Sequence, residues 1–163
     1  MTEFSAVPAW TPYNARTETV ATKPSFRNAF KRGQFCVVPA DAIFEPSYET
    51  GKAERFQIAS ADGAPLGIAG IWEYKAEGDN GLPLLSFSML TINADAHPLM
   101  NRFHKPTDEK RMLVFLRPDQ YDSWLHCPVE EAAEFFAPYP AEQLVAQPAP
   151  RPLKPTPEMP AAS

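Results

Sequence analysis

Histidine and cysteine are scarce in this chain, which holds three of the first and two of the second in 163 residues. Cys36 and Cys127 form no CxxC pair, so neither a thiolate metal centre nor a disulfide framework is written into the sequence. His97, His104 and His126 show no HxxxH spacing, and no metal or other cofactor is expected. Neither thiol reads as a nucleophile. Cys36 lies inside an apolar strand pattern, where thiols pack rather than react, and Cys127 precedes a proline with nothing in view to lower its pKa. No apolar run approaches the roughly 18–20 residues that span a bilayer. The opening MTEFSAVPAW also lacks the basic start and apolar core of a secretory signal. A cytoplasmic protein without a membrane partner is expected. A basic surplus is missing too: the formal net charge of −5 argues against a generally basic nucleic-acid binder.

What is present is the composition of a folded domain, 44% hydrophobic and 21% charged, in a chain long enough for one core. Charge is unevenly spread. Residues 1–40 carry Arg16, Lys23, Arg27, Lys31 and Arg32 against Glu3 and Glu18, a balance of +3 that leaves −8 for the remainder. One basic face on an acidic protein suffices for local phosphate contact.

The stretch FCVVPADAIFEP, Phe35 to Pro46, organises the rest. A short apolar run rich in Val, Phe and Ile reads as a buried strand, and Pro39 marks a bulge or an edge between two short strands because it cannot donate to a ladder. Glu45 ends the segment. A carboxylate delivered there on a rigid strand is either a candidate for acid–base chemistry or a strand end pointing into water. Upstream, the proline-punctuated VPAWTP is extended; its Trp10 is a core residue or a ring offered to a base or partner. Residues 13–20 favour a strand that places Asn14, Arg16 and Glu18 on one face. Phe26 to Gly33 reads as a short helix, N-capped by Thr22 or Ser25, with Gly33 suited to its C-terminal turn. Its Arg27 and Lys31 either touch phosphates or form a solvated face.

Downstream, strands are expected over residues 55–59, 66–74, 84–92 and 112–116, with Asp62-Gly63 as a hairpin turn, in an antiparallel meander. Two short amphipathic helices are expected over 118–125 and 129–136. Residues 147–163 hold six of the nineteen prolines, which reads as a disordered tail. The domain is therefore placed at 1–145 and the tail at 146–163. From residue types alone, the remaining chemistry is a possible hydrogen-bonded acid–base site of Asn14, Glu45 and His104, although spacing does not show that they converge.

Four segments closely resemble the SRAP family (SOS-response-associated peptidase domains, abasic-site-shielding proteins): VPAW; YNARTETVATKPSFRNAFKRGQFCVVPADAIFEP; GAPLGIAGIWEY; and SFSMLTINADAHPLMNRFHKPTDEKRM. Together they cover most of residues 7–145 in order and spacing. The resemblance implies an α+β fold with a mainly antiparallel, barrel-like sheet and short flanking helices. It implies capture of abasic sites in single-stranded DNA as a thiazolidine on an N-terminal cysteine exposed by loss of the initiator Met. By position, Asn14 resembles the amide that holds the capturing group and substrate oxygens. Glu45 resembles the general acid–base carboxylate, and His104 the histidine that assists ring opening and Schiff-base proton transfers. Arg16 matches a phosphate-contacting arginine and Trp10 an aromatic lining the DNA path. Family chains begin Met-Cys and carry a long section before the VPAW-like segment, whereas this sequence begins Met1-Thr2-Glu3. The expectation is thus an N-terminally incomplete SRAP domain, monomeric, cytoplasmic and nucleoid-associated when bound to DNA. It is either an abasic-site protein without the expected nucleophile, or a non-catalytic member that binds single-stranded DNA or a protein.

Overall fold

The computed structural model describes residues 13–77 and 81–152; Trp10 and the end of the proline-rich tail lie outside them. In chain order the strands are β1 (Asn14–Arg16), β2 (Phe35–Ala40), β3 (Ile43–Ser47), β4 (Glu54–Ser60), β5 (Leu66–Lys75), β6 (Leu84–Asn93), β7 (Arg111–Leu113), β8 (Phe115–Leu116) and β9 (Leu144–Pro148). The two α-helices are α1 (Arg27–Lys31) and α2 (Tyr121–His126), with short 3-10 turns between other elements.

These strands form two sheets. The larger runs β1-β6-β5-β2, with β7 joined to β6 and β8 to β5; the smaller runs β3-β4-β9. The mixed α/β class follows expectation, but among the described residues no barrel closes. The long strands β5 and β6 pair antiparallel from Gly70–Met89 to Lys75–Leu84, whereas β4, expected beside them in one meander, pairs instead with β3 and β9. The one parallel pairing among the described strands sets β1 against β6.

Local chemistry explains most boundaries. Pro39 lies within β2, opposite Gly67, and is tolerated because β2 ends the sheet path, where a missing N–H breaks no second ladder. The strand break comes later, at Asp41 and Ala42. Asp62-Gly63 does form a turn, in which the Asp62 carboxylate accepts from Ser60 Oγ and the Ala64 N–H and Gly63 adopts φ 77°, but not the expected hairpin: β4 and β5 on either side of it lie in different sheets. α1 starts after Phe26 with no side-chain cap, so neither Thr22 nor Ser25 caps it, while Gly33 does take the left-handed φ of 63°. Of the two expected C-terminal helices, the first becomes a 3-10 turn at Pro118–Gln120 leading into α2, and the second is 3-10 throughout, Val129–Phe135. Residues 146–148, expected in the tail, belong to a strand: Ala146 pairs with Ile58 and Pro148 with Phe56 in β9. Proline at the last position of an edge strand costs the ladder nothing, so composition misread a strand as tail.

The core centres on Trp124, which is fully buried. It stacks on Phe35 at 4.3 Å and meets Phe135 and Phe136 edge-on. Its indole N–H donates to the Cys36 carbonyl at 2.9 Å, which ties α2 to β2. Close packing continues at Gly67, where a Cβ would lie 2.5 Å from the Tyr121 hydroxyl oxygen.

Candidate active site

β1 has only three residues, but its alternation decides where two functional side chains go. Ala15 is fully buried, so Asn14 and Arg16 both turn outward on the opposite face. Pairing with β6 sets Asn14 against Met89 and Arg16 against Thr91. Glu18, expected on the same strand face, lies beyond the strand in a turn. Glu45 comes from β3, opposite Phe56 of β4, and shares a strand face with the buried Ser47. His104 follows Phe103, which is fully buried against Phe56 at a ring distance of 5.8 Å and bridges Ser47. The His104 N–H then donates to the Pro46 carbonyl at 2.7 Å.

The result is a pocket of about 320 Å³ lined by Asn14, Arg16, Lys23, Glu45, Thr91, His104, Arg111, Met112 and Leu113. Asn14, Glu45 and His104, from three distant parts of the chain, line it together. His104 Nε2 lies 3.2 Å from Glu45 Oε2, with the two side chains 32% and 19% exposed. Hydrogen bonding to the Glu45 carboxylate pushes the imidazole above its usual range, against burial and the nearby Lys110 ammonium; the Glu45 and Asp108 charges add to the upward shift. A carboxylate and an imidazole in this contact can hold a proton and pass it between them.

The pocket's positive charge is held in an ionic network. Glu109 bridges two guanidiniums, with Oε2 2.7 Å from Arg16 Nη1 and Oε1 3.0 Å from Arg111 Nη1. Arg111 also takes both oxygens of Glu18, at 2.7 and 2.9 Å, and donates to the Thr91 carbonyl and hydroxyl. Hydrogen bonding from Arg111 holds the carboxyls of Glu18 and Glu109 below their usual range; Asn93 assists at Glu109. Arg111 lines the candidate site but was not among the residues expected there, since it directly precedes the strand expected over 112–116. Its partner Glu18 is 93 positions away, and no local spacing announces the pair.

The other candidates fall elsewhere. Arg27 and Lys31 are exposed on α1 and do not line the pocket; Trp10 lies outside the described residues. His97 is structural: its Nδ1 accepts from the Met100 N–H at 2.9 Å and its Nε2 lies 2.7 Å from the Tyr139 carbonyl. Burial pushes the Cys36 thiol up to about 11, which makes it unreactive at neutral pH. A wider groove of about 930 Å³ shares Glu45 but is walled mainly by Pro46, Pro148, Pro150 and the Arg55 guanidinium, stacked 3.5 Å from the centre of the Phe44 ring. Among the described residues no cluster of three or more His, Cys, Asp or Glu side chains could hold a metal ion, and no helix is long and apolar enough to cross a membrane.

The chain is also similar to known proteins. The "abasic site processing protein YoaM" of Bacillus subtilis is 31% identical over 114 residues, covering 69% of this chain and 46% of that protein. The "abasic site processing protein YoqW" of the same organism is 30% identical over 116 residues, with 69% and 47% coverage. The chain thus spans about half the length of the curated relatives it matches. Among solved structures, a Bordetella bronchiseptica protein superposes with a TM-score of 0.82 at 45% identity, covering 85% of this chain and 65% of that one. A Bacteroides thetaiotaomicron protein superposes with a TM-score of 0.72 at 27% identity, with coverage of 83% and 57%. The family described as SOS response associated peptidase (SRAP) matches residues 2–154. With that match spanning nearly the whole sequence, the chain belongs to the SRAP family.

Proposed function

We propose that this protein recognises abasic sites in single-stranded DNA at the Asn14–Glu45–His104 pocket and takes part in shielding them as a covalent DNA–protein crosslink. The observation that carries the reading is the convergence of those three side chains in one pocket, with Arg16 beside them. An abasic residue is a cyclic hemiacetal that must open to its aldehyde before it can be captured. Opening removes a proton from the C1 hydroxyl and delivers one to the ring oxygen. A carboxylate and an imidazole 3.2 Å apart suit that exchange, and each well-placed proton-transfer group is worth about 10²–10⁴ in rate. The Asn14 amide hydrogen-bonds substrate oxygens, while Arg16 contacts a flanking phosphate and fixes the strand's register.

Capture as a thiazolidine needs an N-terminal cysteine. Its amine condenses with the aldehyde, water leaves, and the thiol adds to the imine carbon. In a second reading the chain binds single-stranded DNA or a protein partner without covalent chemistry; Arg16 and Lys23, which line the same pocket, favour it because two cations there suit phosphate. The proposed setting for either is a cytoplasmic monomer, associated with the nucleoid when on DNA, and self-processing peptidase activity belongs to the first reading.

A denaturing-gel assay with single-stranded DNA carrying one abasic site separates them. The chain as written is compared with a version in which Thr2→Cys gives a Met-Cys start, and that version is also tested with Glu45→Gln and His104→Ala. The first reading expects an adduct with the Met-Cys version that weakens about 10²-fold or more in the Glu45 and His104 variants. Salt-sensitive binding indifferent to the abasic site, with no adduct from any version, supports the second. An adduct of undiminished rate in both variants refutes the assigned acid–base roles.

A further inference from the structure

The loop that delivers His104 adopts a backbone conformation that histidine itself disfavours. His104 sits at φ 63°, the one positive φ at a non-glycine position among the described residues. Such strain persists only where the surroundings over-determine it. One side is held by β3, through the Phe103–Ser47 bridge and the His104 N–H on the Pro46 carbonyl. The other side is held by a single ammonium. Lys110 Nζ lies 2.8, 3.1 and 2.7 Å from the carbonyl oxygens of Phe103, His104 and Lys105. A lysine has three N–H donors and no acceptor, so all three are committed to three consecutive carbonyls around the strained residue. The Lys110 backbone is anchored as well: its N–H donates to Asp95 Oδ1 at 2.9 Å and its carbonyl accepts from the Ala94 N–H at 2.7 Å.

We propose that Lys110 is a positioning residue, clamping the left-handed turn at Phe103–Lys105 so that the His104 imidazole stays on Glu45. With its three N–H groups on these carbonyls, Lys110 has no donor left to offer a phosphate. The benefit to catalysis rests on the function proposed above, whereas the positioning itself does not. The charged groups facing the imidazole are Glu45 and Asp108, which favour its protonated form, and Lys110, which opposes it.

The test titrates the His104 imidazole by NMR in four full-length proteins: wild type, Glu45→Gln, Lys110→Met and the double variant. Positioning expects Glu45→Gln to lower the His104 pKa when Lys110 is present, and to have about half that effect or less when it is methionine. An equal effect in both backgrounds, with Lys110→Met merely raising the imidazole pKa as loss of a neighbouring positive charge requires, overturns the proposal. Should Lys110→Met not fold, the wild-type ammonium decides. A Lys110 NH₃⁺ signal exchanging about tenfold more slowly than those of exposed Lys31 and Lys52 supports the clamp, and equal exchange overturns it. Crosslinking to abasic single-stranded DNA is followed separately on versions with a Met-Cys start. Loss of the Glu45–His104 coupling with crosslinking unchanged refutes the chemistry assigned to the pair and leaves the positioning intact.

Discussion

Replacing His104 by glycine and, separately, by alanine isolates the strain stored at the pocket. Both changes remove the imidazole and its 3.2 Å contact with Glu45, so that loss cancels in the comparison. At an ordinary site alanine is the more stabilising residue by about 0.5–1 kcal/mol, because glycine loses more freedom on folding. At φ 63° the order reverses. The left-handed conformation costs a residue with a Cβ about 1–2 kcal/mol and glycine almost nothing. The two contributions oppose each other, so His104→Gly should be more stable than His104→Ala by up to about 1.5 kcal/mol. For a chain of this size that is a Tm difference of up to about 3–6 °C, since each kcal/mol shifts Tm by about 2–4 °C. Thermal unfolding and guanidinium titration of the two variants measure it directly. Both variants should be equally impaired in crosslinking when built on the Met-Cys version. If alanine exceeds glycine in stability, as at an ordinary site, the turn relaxes freely without the imidazole, and the account of a strained, clamped His104 is wrong.

Three other outcomes are expected. Because Glu45 raises the His104 pKa above the unfolded value near 6.5, the pair's stabilisation should be complete below about pH 6.5 and lost as pH rises through the folded value. Guanidinium unfolding from about pH 5.5 to about 8.5 should show that loss in the wild type and not in Glu45→Gln; a loss of equal size in both would remove Glu45 as its cause. Glu109→Gln should free Arg16 from its carboxylate while Glu18 and Thr91 still hold Arg111, tightening single-stranded DNA binding severalfold and steepening its salt dependence. Unchanged affinity would mean that the Arg16 guanidinium does not meet phosphate. Gly67→Ala should destabilise the protein by about 1–3 kcal/mol, since its Cβ would press into the Tyr121 ring. Shortening that ring in Gly67→Ala/Tyr121→Leu should recover part of the loss, whereas strictly additive losses in the double variant would show that the ring is not the obstacle.

The elements legible in the sequence are those whose physics is local. β5 and β6 announce themselves by long apolar runs and Asp62-Gly63 by turn chemistry, whereas Glu45, expected at the end of its segment, sits in the middle of β3 because the strand runs on through Pro46 to Ser47. β1 and β9 were harder for opposite reasons. β1 has three ordered residues and takes its place from the parallel pairing with β6, which no periodicity records. β9 is written in proline-rich residues that look like a tail, and only backbone pairing with β4 reveals it. The pocket divides the same way. Asn14, Glu45 and His104 could be named from residue type and family resemblance, but their convergence depends on the relative placement of two sheets. The Arg111 network could not be named at all. Its partners Glu18, Glu109 and Thr91 come from a turn, a loop and a strand, and no local spacing connects them.

The five elements meeting at the pocket do not hold their side chains in the same way, and this bears on where its precision comes from. Asn14, Glu45, Thr91 and Arg111 stand on strands, so ladder hydrogen bonds fix their direction. His104 does not. It follows a 3-10 turn, in a conformation its side chain disfavours, yet proton exchange with Glu45 requires heavy-atom contact within about 2.6–3.2 Å. A loop residue meets that tolerance only if both flanks are tied down. Here β3 ties the first flank through Phe103 and Pro46, while the Lys110 ammonium ties the carbonyls on the other. Lys110 is in turn fixed by Asp95 and Ala94, which follow directly from β6. The imidazole is therefore referenced to both sheets at once: to the smaller through β3 and to the larger through β6. Since Asn14 and Arg16 are also set against β6, a shift of one sheet against the other would move His104 and Glu45 relative to Asn14 together only if the clamp were lost.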